Sequence, residues 1–324
     1  MTKPTGAVSS ASECRSFSLV PRDLRPFLES FEPLPATLDS LDDIRNWPNE
    51  PVLPPPAPAV TERVIEGPAD HPGIRILIID PNPGAKCRPA LLHMHGGGYI
   101  MGSPEIIAPQ LQITAQKVGC VIVSVAYRLA PETPYPGALE DNYAALKWLH
   151  RNASELGVDS LRIAVGGESA GGGHAAALAI AARERNGPPI SYQHLVYPML
   201  DDRTGISKSV SPEVGEFIWT VEHNRLGWSA LLGVPAGSES VPEGSVPARV
   251  ENLEGLPTTF IAVGSLDLFL SENLEYAKRL TDAGVSVVTH VEPGAYHGSN
   301  KLVPEARSSQ RFNQRLLEEL RKNL

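Results

Sequence analysis

This sequence predicts an α/β fold, an eight-stranded and mostly parallel sheet with helices on both faces. Three observations carry that expectation. From residue 60 onward, short apolar runs alternate with longer helical stretches, the rhythm of repeated βα units that lays strands parallel. Several of those runs are nearly unbroken Val, Ile and Leu, as strands covered on both faces require. The 324 residues suffice for one large domain with its own core, or for two small ones.

Taken in order, the chain opens with a segment, residues 1–59, set apart from the regular pattern that follows. Residues 21–31 could form one helix, and the proline-dense stretch 51–58 reads as a stiff extended linker. Residues 60–324 carry the regular pattern and are expected to form the main domain. Strands are expected at 60–66, 74–80, 90–95, 121–127, 162–166, 193–197, 258–264 and 285–291. The first two are joined by a short Gly- and Pro-containing connection, which suggests an antiparallel hairpin. Helices are expected at 109–118, 138–156, 170–185, 271–283 and 305–320, with Ser271 at a capping position and Gly284 where a helix-terminating glycine belongs. Residues 201–255 break the rhythm: the stretch is long, rich in Ser, Pro and Gly, and carries Phe217, Trp219 and Trp228. A loop of that length within a domain is usually functional. It reads as a cap inserted over the C-terminal edge of the sheet, with the N-terminal segment beside it.

Composition narrows the function. A net charge of −9 and the absence of any basic block argue against a nucleic-acid partner. The apolar runs are strand-sized, so no transmembrane helix is expected, and the polar first fifteen residues carry no signal-peptide core. Cytoplasmic residence is the default expectation. Cys14, Cys87 and Cys120 are odd in number and far apart, which suits reduced thiols better than a disulfide frame or a zinc site. Cys120 opens an apolar run and is expected in the core.

The strongest chemical signal is Gly167-Glu168-Ser169-Ala170-Gly171, placed between a strand and an Ala-rich helix. A sharp strand-to-helix turn of that kind lifts a serine above the sheet edge, beside a helix N-terminus that stabilises developing negative charge. The second signal is His95-Gly96-Gly97-Gly98-Tyr99, directly after another strand. Glycines leave backbone N–H groups bare, so with the N–H of Ala170 this loop can form an oxyanion hole. It lacks the spacing and the lysine of a phosphate loop. His297, in the loop after the last strand, is the best-placed base among nine histidines. A metal site built on His93 and His95 has no evident third ligand. Asp267, three residues beyond the strand 258–264, fits the chain order Ser, Asp, His. Asp201, Asp202 and Glu272 stand as alternatives.

These motifs resemble those of the hormone-sensitive-lipase-like carboxylesterases, the microbial acetyl-esterase branch of the α/β-hydrolase fold. The resemblance runs from about residue 60 to the C-terminus. It adds Tyr127-Arg128-Leu129-Ala130-Pro131-Glu132, Tyr135-Pro136 ahead of Asp141, and Tyr197-Pro198 to the motifs above. It implies Ser169, Asp267 and His297 as the triad and Gly97, Gly98 and Ala170 as the oxyanion donors. It also implies a cap made from the N-terminal segment and the insertion. Two positions depart from the family pattern: Glu168 stands where Asp is usual before the nucleophile, and Leu268 to Ser271 differ from the usual surroundings of the acid.

The expected chemistry is cofactor-free and metal-free acyl transfer through a serine ester intermediate. The expected partner is a small-molecule ester, with a homodimer as the alternative to a monomer. Tyr99, Phe217, Trp219 and Trp228 are candidate walls of the substrate pocket, and the charged residues around the aromatics suit short acyl chains. A lactonase, amidase or acyl-transfer enzyme would carry the same triad. A non-catalytic receptor on this fold would lack the histidine that His297 supplies.

Overall fold

In a computed structural model, described for residues 11–33, 35–45, 57–68 and 73–324, the regular part of the chain is a single eight-stranded sheet. The strands are β1 (Val60–Ile65), β2 (Ile74–Ile79), β3 (Arg88–Met94), β4 (Val121–Val125), β5 (Val158–Glu168), β6 (Tyr192–Val196), β7 (Thr258–Gly264) and β8 (Val287–Glu292). Their order across the sheet is β1-β2-β4-β3-β5-β6-β7-β8. β2 pairs antiparallel with β1 and β4, and every later pairing is parallel. The expected hairpin and the parallel sheet are both present. Most of the proline linker, residues 51–56, lies outside the described residues.

Alternation along each strand sorts side chains to two cores, as a period of two dictates. Val121, Val123 and Val125 face one core with Ile163 and Val165, while Cys120, Ile122 and Ala164 face the other. The first core is closed by α4 (Gly137–Arg151), α5 (Ala170–Glu184) and α7 (Leu270–Asp282). The second is closed by α3 (Pro104–Val118) and α9 (Arg307–Asn323). Helix α5 is buried over thirteen residues, most of them Ala and Gly, so it lies close against the sheet with little side-chain bulk between.

Three expectations are corrected. Helix α3 begins at Pro104, five residues before the expected start; Pro at the first turn costs no hydrogen bond, whereas Pro109 lies inside the helix and gives up one intrahelical N–H donor. Strand β5 starts at Val158 rather than 162; Asp159 and Ser160 are polar and Leu161 is exposed, which breaks the apolar run between buried Val158 and Ile163. The stretch 201–255 is not irregular throughout: it contains α6 (Val221–Leu232). Thr220 caps that helix reciprocally with His223, and Gly233 ends it in the left-handed conformation. Short helices α1 (Arg25–Ser30), α2 (Leu41–Arg45) and α8 (Ser299–Leu302) complete the set among the described residues.

The N-terminal segment packs against residues 201–255 and the C-terminal region. Val20, Leu24 and Leu28 share an apolar cluster with Phe217, Tyr296 and Val303. The Glu216 carboxylate accepts from the N–H and hydroxyl of Ser16 at 2.8 and 2.5 Å. Arg45 of α2 donates to the carbonyl of Ile100 at 2.8 Å and pairs with Glu132 at 2.6 Å.

Candidate active site

The motif residues converge at the carboxyl ends of neighbouring parallel strands, where open α/β sheets place their ligand sites. Ser169 follows β5 with φ 57° and ψ −123°, a backbone conformation that an L-residue holds only when its surroundings impose it. Here they do: its N–H donates to Val196 O at 2.9 Å, and its carbonyl accepts from Met199 N at 3.0 Å and Gly173 N at 3.1 Å. The strained turn carries Oγ out of the sheet toward the loop that follows β8.

That loop supplies His297. Its Nε2 lies 3.0 Å from Ser169 Oγ and its Nδ1 2.8 Å from Asp267 Oδ2. A carboxylate can only accept, so Nδ1 carries the proton and Nε2 is left to accept from the serine hydroxyl. The remaining Asp267 oxygen accepts from Phe269 N at 3.0 Å. All three side chains are buried. Aromatic rings hold the imidazole in place: Tyr197 and Phe269 meet it edge-on at 4.8 and 5.2 Å, and Trp219 lies 6.3 Å away. Leu266 N donates to Ala295 O at 3.0 Å, joining the loop of the acid to the loop of the base.

The glycine loop faces the serine from β3. Among the described residues neither Gly97 nor Gly98 donates its N–H to a protein acceptor, and Ala170 is the first residue of α5, where N–H groups have no intrahelical partner. Three backbone N–H groups beside Ser169 are therefore without a protein acceptor among the described residues, as donors to an oxyanion must be. Gly98 has φ 57°, and a Cβ there would overlap the far edge of the Trp219 indole. Only glycine fits. The loop is braced from behind by His95, whose Nδ1 donates to Gly96 O at 2.8 Å, and by Tyr127, whose hydroxyl donates to His95 O at 2.6 Å. Burial pushes the His95 imidazole down to about 4, so it is neutral and can serve as a fixed donor.

Of the four candidate pocket residues, Trp219 reaches the site, between Gly98 and His297. Tyr99 is buried behind the glycine loop, its hydroxyl donating to Met199 O at 2.9 Å. Trp228 is fully buried beside Tyr99, with ring centroids 5.0 Å apart. Phe217 packs on Tyr296 in the cluster under the N-terminal segment. The rival acids are engaged elsewhere. Asp201 pairs with Arg203 and Lys208, Asp202 with Arg249. Glu272 accepts from the N–H groups of Leu200 and Asp201 and from the Thr204 hydroxyl.

Sequence reasoning passed over Tyr127, Gly227 and Lys301. Tyr127 opens the Tyr127–Glu132 motif, which by itself does not reveal that the hydroxyl braces the glycine loop. Gly227 lies in α6, where a Cβ would overlap the Gly98 carbonyl; a glycine inside a helix is the signal that could have found it. Lys301 pairs with Glu168 at 2.9 Å, and His93 lies 3.2 Å from the same carboxylate oxygen. Burial works against ionisation of Glu168, but Lys301 and His93 together hold its carboxyl well below the usual range.

A family model described as the alpha/beta hydrolase fold matches residues 91–300. The chain belongs to the α/β-hydrolase family, in its hormone-sensitive-lipase-like branch, and the expectation drawn from the motifs stands. It is 36% identical over 256 residues to esterase LipI of Mycobacterium tuberculosis, covering 79% of this chain and 78% of that protein. Among solved structures, a bacterial heroin esterase superposes with TM-score 0.87 at 34% identity, covering 95% of this chain and 99% of its own. Esterase LipW from Mycobacterium marinum does so with TM-score 0.82 at 32% identity, covering 96% and 98%. Among the described residues no helix is long and apolar enough to cross a membrane.

Proposed function

We propose that this chain is a carboxylesterase that cleaves short-acyl esters through a Ser169–His297–Asp267 triad. The observation that carries the reading is the hydrogen-bond relay from Ser169 Oγ to His297 Nε2, 3.0 Å, and from His297 Nδ1 to Asp267 Oδ2, 2.8 Å, beside three free N–H groups. The names of its relatives, esterases among them, support the same class of reaction.

In this mechanism Ser169 Oγ attacks the ester carbonyl as His297 Nε2 takes its proton. The carbonyl oxygen, now an oxyanion, is held by the N–H groups of Gly97, Gly98 and Ala170. Collapse expels the alcohol, which receives the proton from His297, and leaves an acyl ester on Ser169. A water molecule, deprotonated by His297, then releases the acid. Asp267 fixes the imidazole tautomer and stabilises its charge in both halves.

Residues 201–255, with the N-terminal segment, serve as the cap in this proposal, and the protein works in the cytoplasm. Trp219 stands against the oxyanion loop and narrows the space above Ser169. Around it the segment is mixed, with Glu213, Glu216 and Glu222 interspersed among Val214, Phe217, Ile218 and Val221, which suits a closed pocket better than a broad lipid-binding face. The test is kcat/KM across p-nitrophenyl esters from acetate to palmitate, with and without an emulsified interface. The expected maximum lies between acetate and about hexanoate, since an apolar pocket discriminates by roughly 10-fold or more per methylene it cannot hold. A maximum at palmitate, or a jump in rate when the interface forms, would contradict the proposal.

A further inference from the structure

Three parts of the site meet at one carboxylate that the mechanism above does not use. Glu168 immediately precedes Ser169. Its Oε2 is 2.9 Å from Lys301 Nζ, on α8, four residues beyond His297, and 3.2 Å from His93 Nε2, on β3, two residues before the glycine loop begins. The cluster is largely shielded: side-chain exposure is 15% for Glu168, 2% for His93 and 30% for Lys301. Ionic attraction is stronger there than at a surface.

We propose that Glu168 is a positioning residue. Its carboxylate ties the loop of the base, through Lys301, and the strand of the oxyanion loop, through His93, to the turn that carries the nucleophile. It thereby sets the distance between Ser169 and His297. The inference rests on the reading of those two residues proposed above.

Two further observations bear on it. A cavity of about 60 Å³ lies beside the cluster, lined by Glu168, His93 and Lys301 together with Asn300, Asn313 and Thr114. The groups are thus incompletely packed on that side, and the ion pair with Lys301 and the hydrogen bond with His93 span the gap between the three segments. Lys301 is also exposed enough to take water in place of the carboxylate, so breaking the pair frees the loop without leaving a buried unpaired ammonium. Glutamine at position 168 keeps the size but replaces one acceptor oxygen with an N–H donor and removes the charge, so the ionic tie to Lys301 is lost.

The experiment compares Glu168→Gln, Glu168→Asp, Lys301→Met and the Glu168→Gln/Lys301→Met double variant with wild type. The readouts are kcat and KM for p-nitrophenyl acetate, the rate of labelling by a fluorophosphonate, and Tm. Ser169→Ala serves as the control. The proposal expects Glu168→Gln and Lys301→Met each to lower kcat by roughly 10- to 100-fold, the size of a misplacement on the order of 1 Å. KM should stay nearly unchanged and the labelling rate should fall by the same factor. The double variant should be no slower than the worse single one, because both cut the same tie, and Glu168→Asp should recover most of the rate. Wild-type kcat in Glu168→Gln, losses that multiply in the double variant, or a loss that merely tracks the unfolded fraction would overturn it. Hydrolysis by Ser169→Ala would instead overturn the parent reading, so the two failures are distinct.

Discussion

Four carboxylates lie between Ser169 and His297 in the chain at positions where an orienting acid could stand, and what each already holds separates them. Asp202 satisfies Arg249 and the N–H of Gly237, and Asp201 satisfies Arg203 and Lys208. Glu272 accepts from two backbone N–H groups, and burial pushes its carboxyl well above the usual range. Asp267 alone of the four bonds His297. Asparagine at that position would present an N–H to Nδ1 and favour the tautomer that cannot accept from serine. Asp267→Asn should therefore lower kcat by about 10⁴-fold, whereas Asp202→Asn and Glu272→Gln should cost stability and leave turnover of the folded protein near wild type. Steady-state kinetics beside a thermal melt of each variant decides it; greater kinetic damage from Asp202→Asn or Glu272→Gln would reassign the acid.

At the scale of elements, legibility followed pattern. β4 was readable because Val121–Val125 is an unbroken β-branched run apart from Ser124, and the serine turn because a strand, two glycines and an Ala-rich helix occur together. Helix α6 was not, because in its sequence VEHNRLGWSALL charged residues and a glycine interrupt the apolar ones, inside a stretch rich in Ser, Pro and Gly; its place is dictated by tertiary contact with the glycine loop. The Glu168–Lys301 pair was equally invisible, joining segments far apart in the chain that only the fold brings together. Gly227 exposes the difference between local and tertiary rules. In an exposed helix, Gly→Ala would gain up to about 1 kcal/mol of helix propensity. Here the added methyl meets the Gly98 carbonyl, and overpacking of this kind costs about 1–3 kcal/mol. Gly227→Ala should thus lower Tm instead of raising it, and by displacing the oxyanion loop should lower kcat roughly 10-fold or more. Unchanged kcat with a raised Tm would show that α6 does not hold the loop.

Across the whole molecule, buried imidazoles shape the response to acid. Burial is the leading cause that pushes His95 and His194 down to about 4 and His174 down to about 3. Their unfolded value is about 6.5, so between pH 6.5 and 4 the unfolded chain binds more protons than the folded one. Stability is then full above pH 6.5 and is lost as pH falls through that window. Glu272, pushed up, pulls the opposite way with one proton against three. Tm measured from pH 7.5 to 4.5 should fall steadily below pH 6.5, and His174→Phe should flatten the curve; a Tm that holds level down to pH 4.5 would contradict this. The same fold that keeps these rings neutral brings Ser169, His297 and the three N–H groups to one sheet edge, an arrangement proposed above to make Ser169 a nucleophile. The most direct measurement is labelling with a fluorophosphonate, located by peptide mass spectrometry, alongside hydrolysis of p-nitrophenyl acetate by wild type and Ser169→Ala. One label is expected, on Ser169, with loss of hydrolysis in step, and a kcat about 10⁶-fold lower in Ser169→Ala. A label on another residue, or substantial hydrolysis by Ser169→Ala, would contradict it.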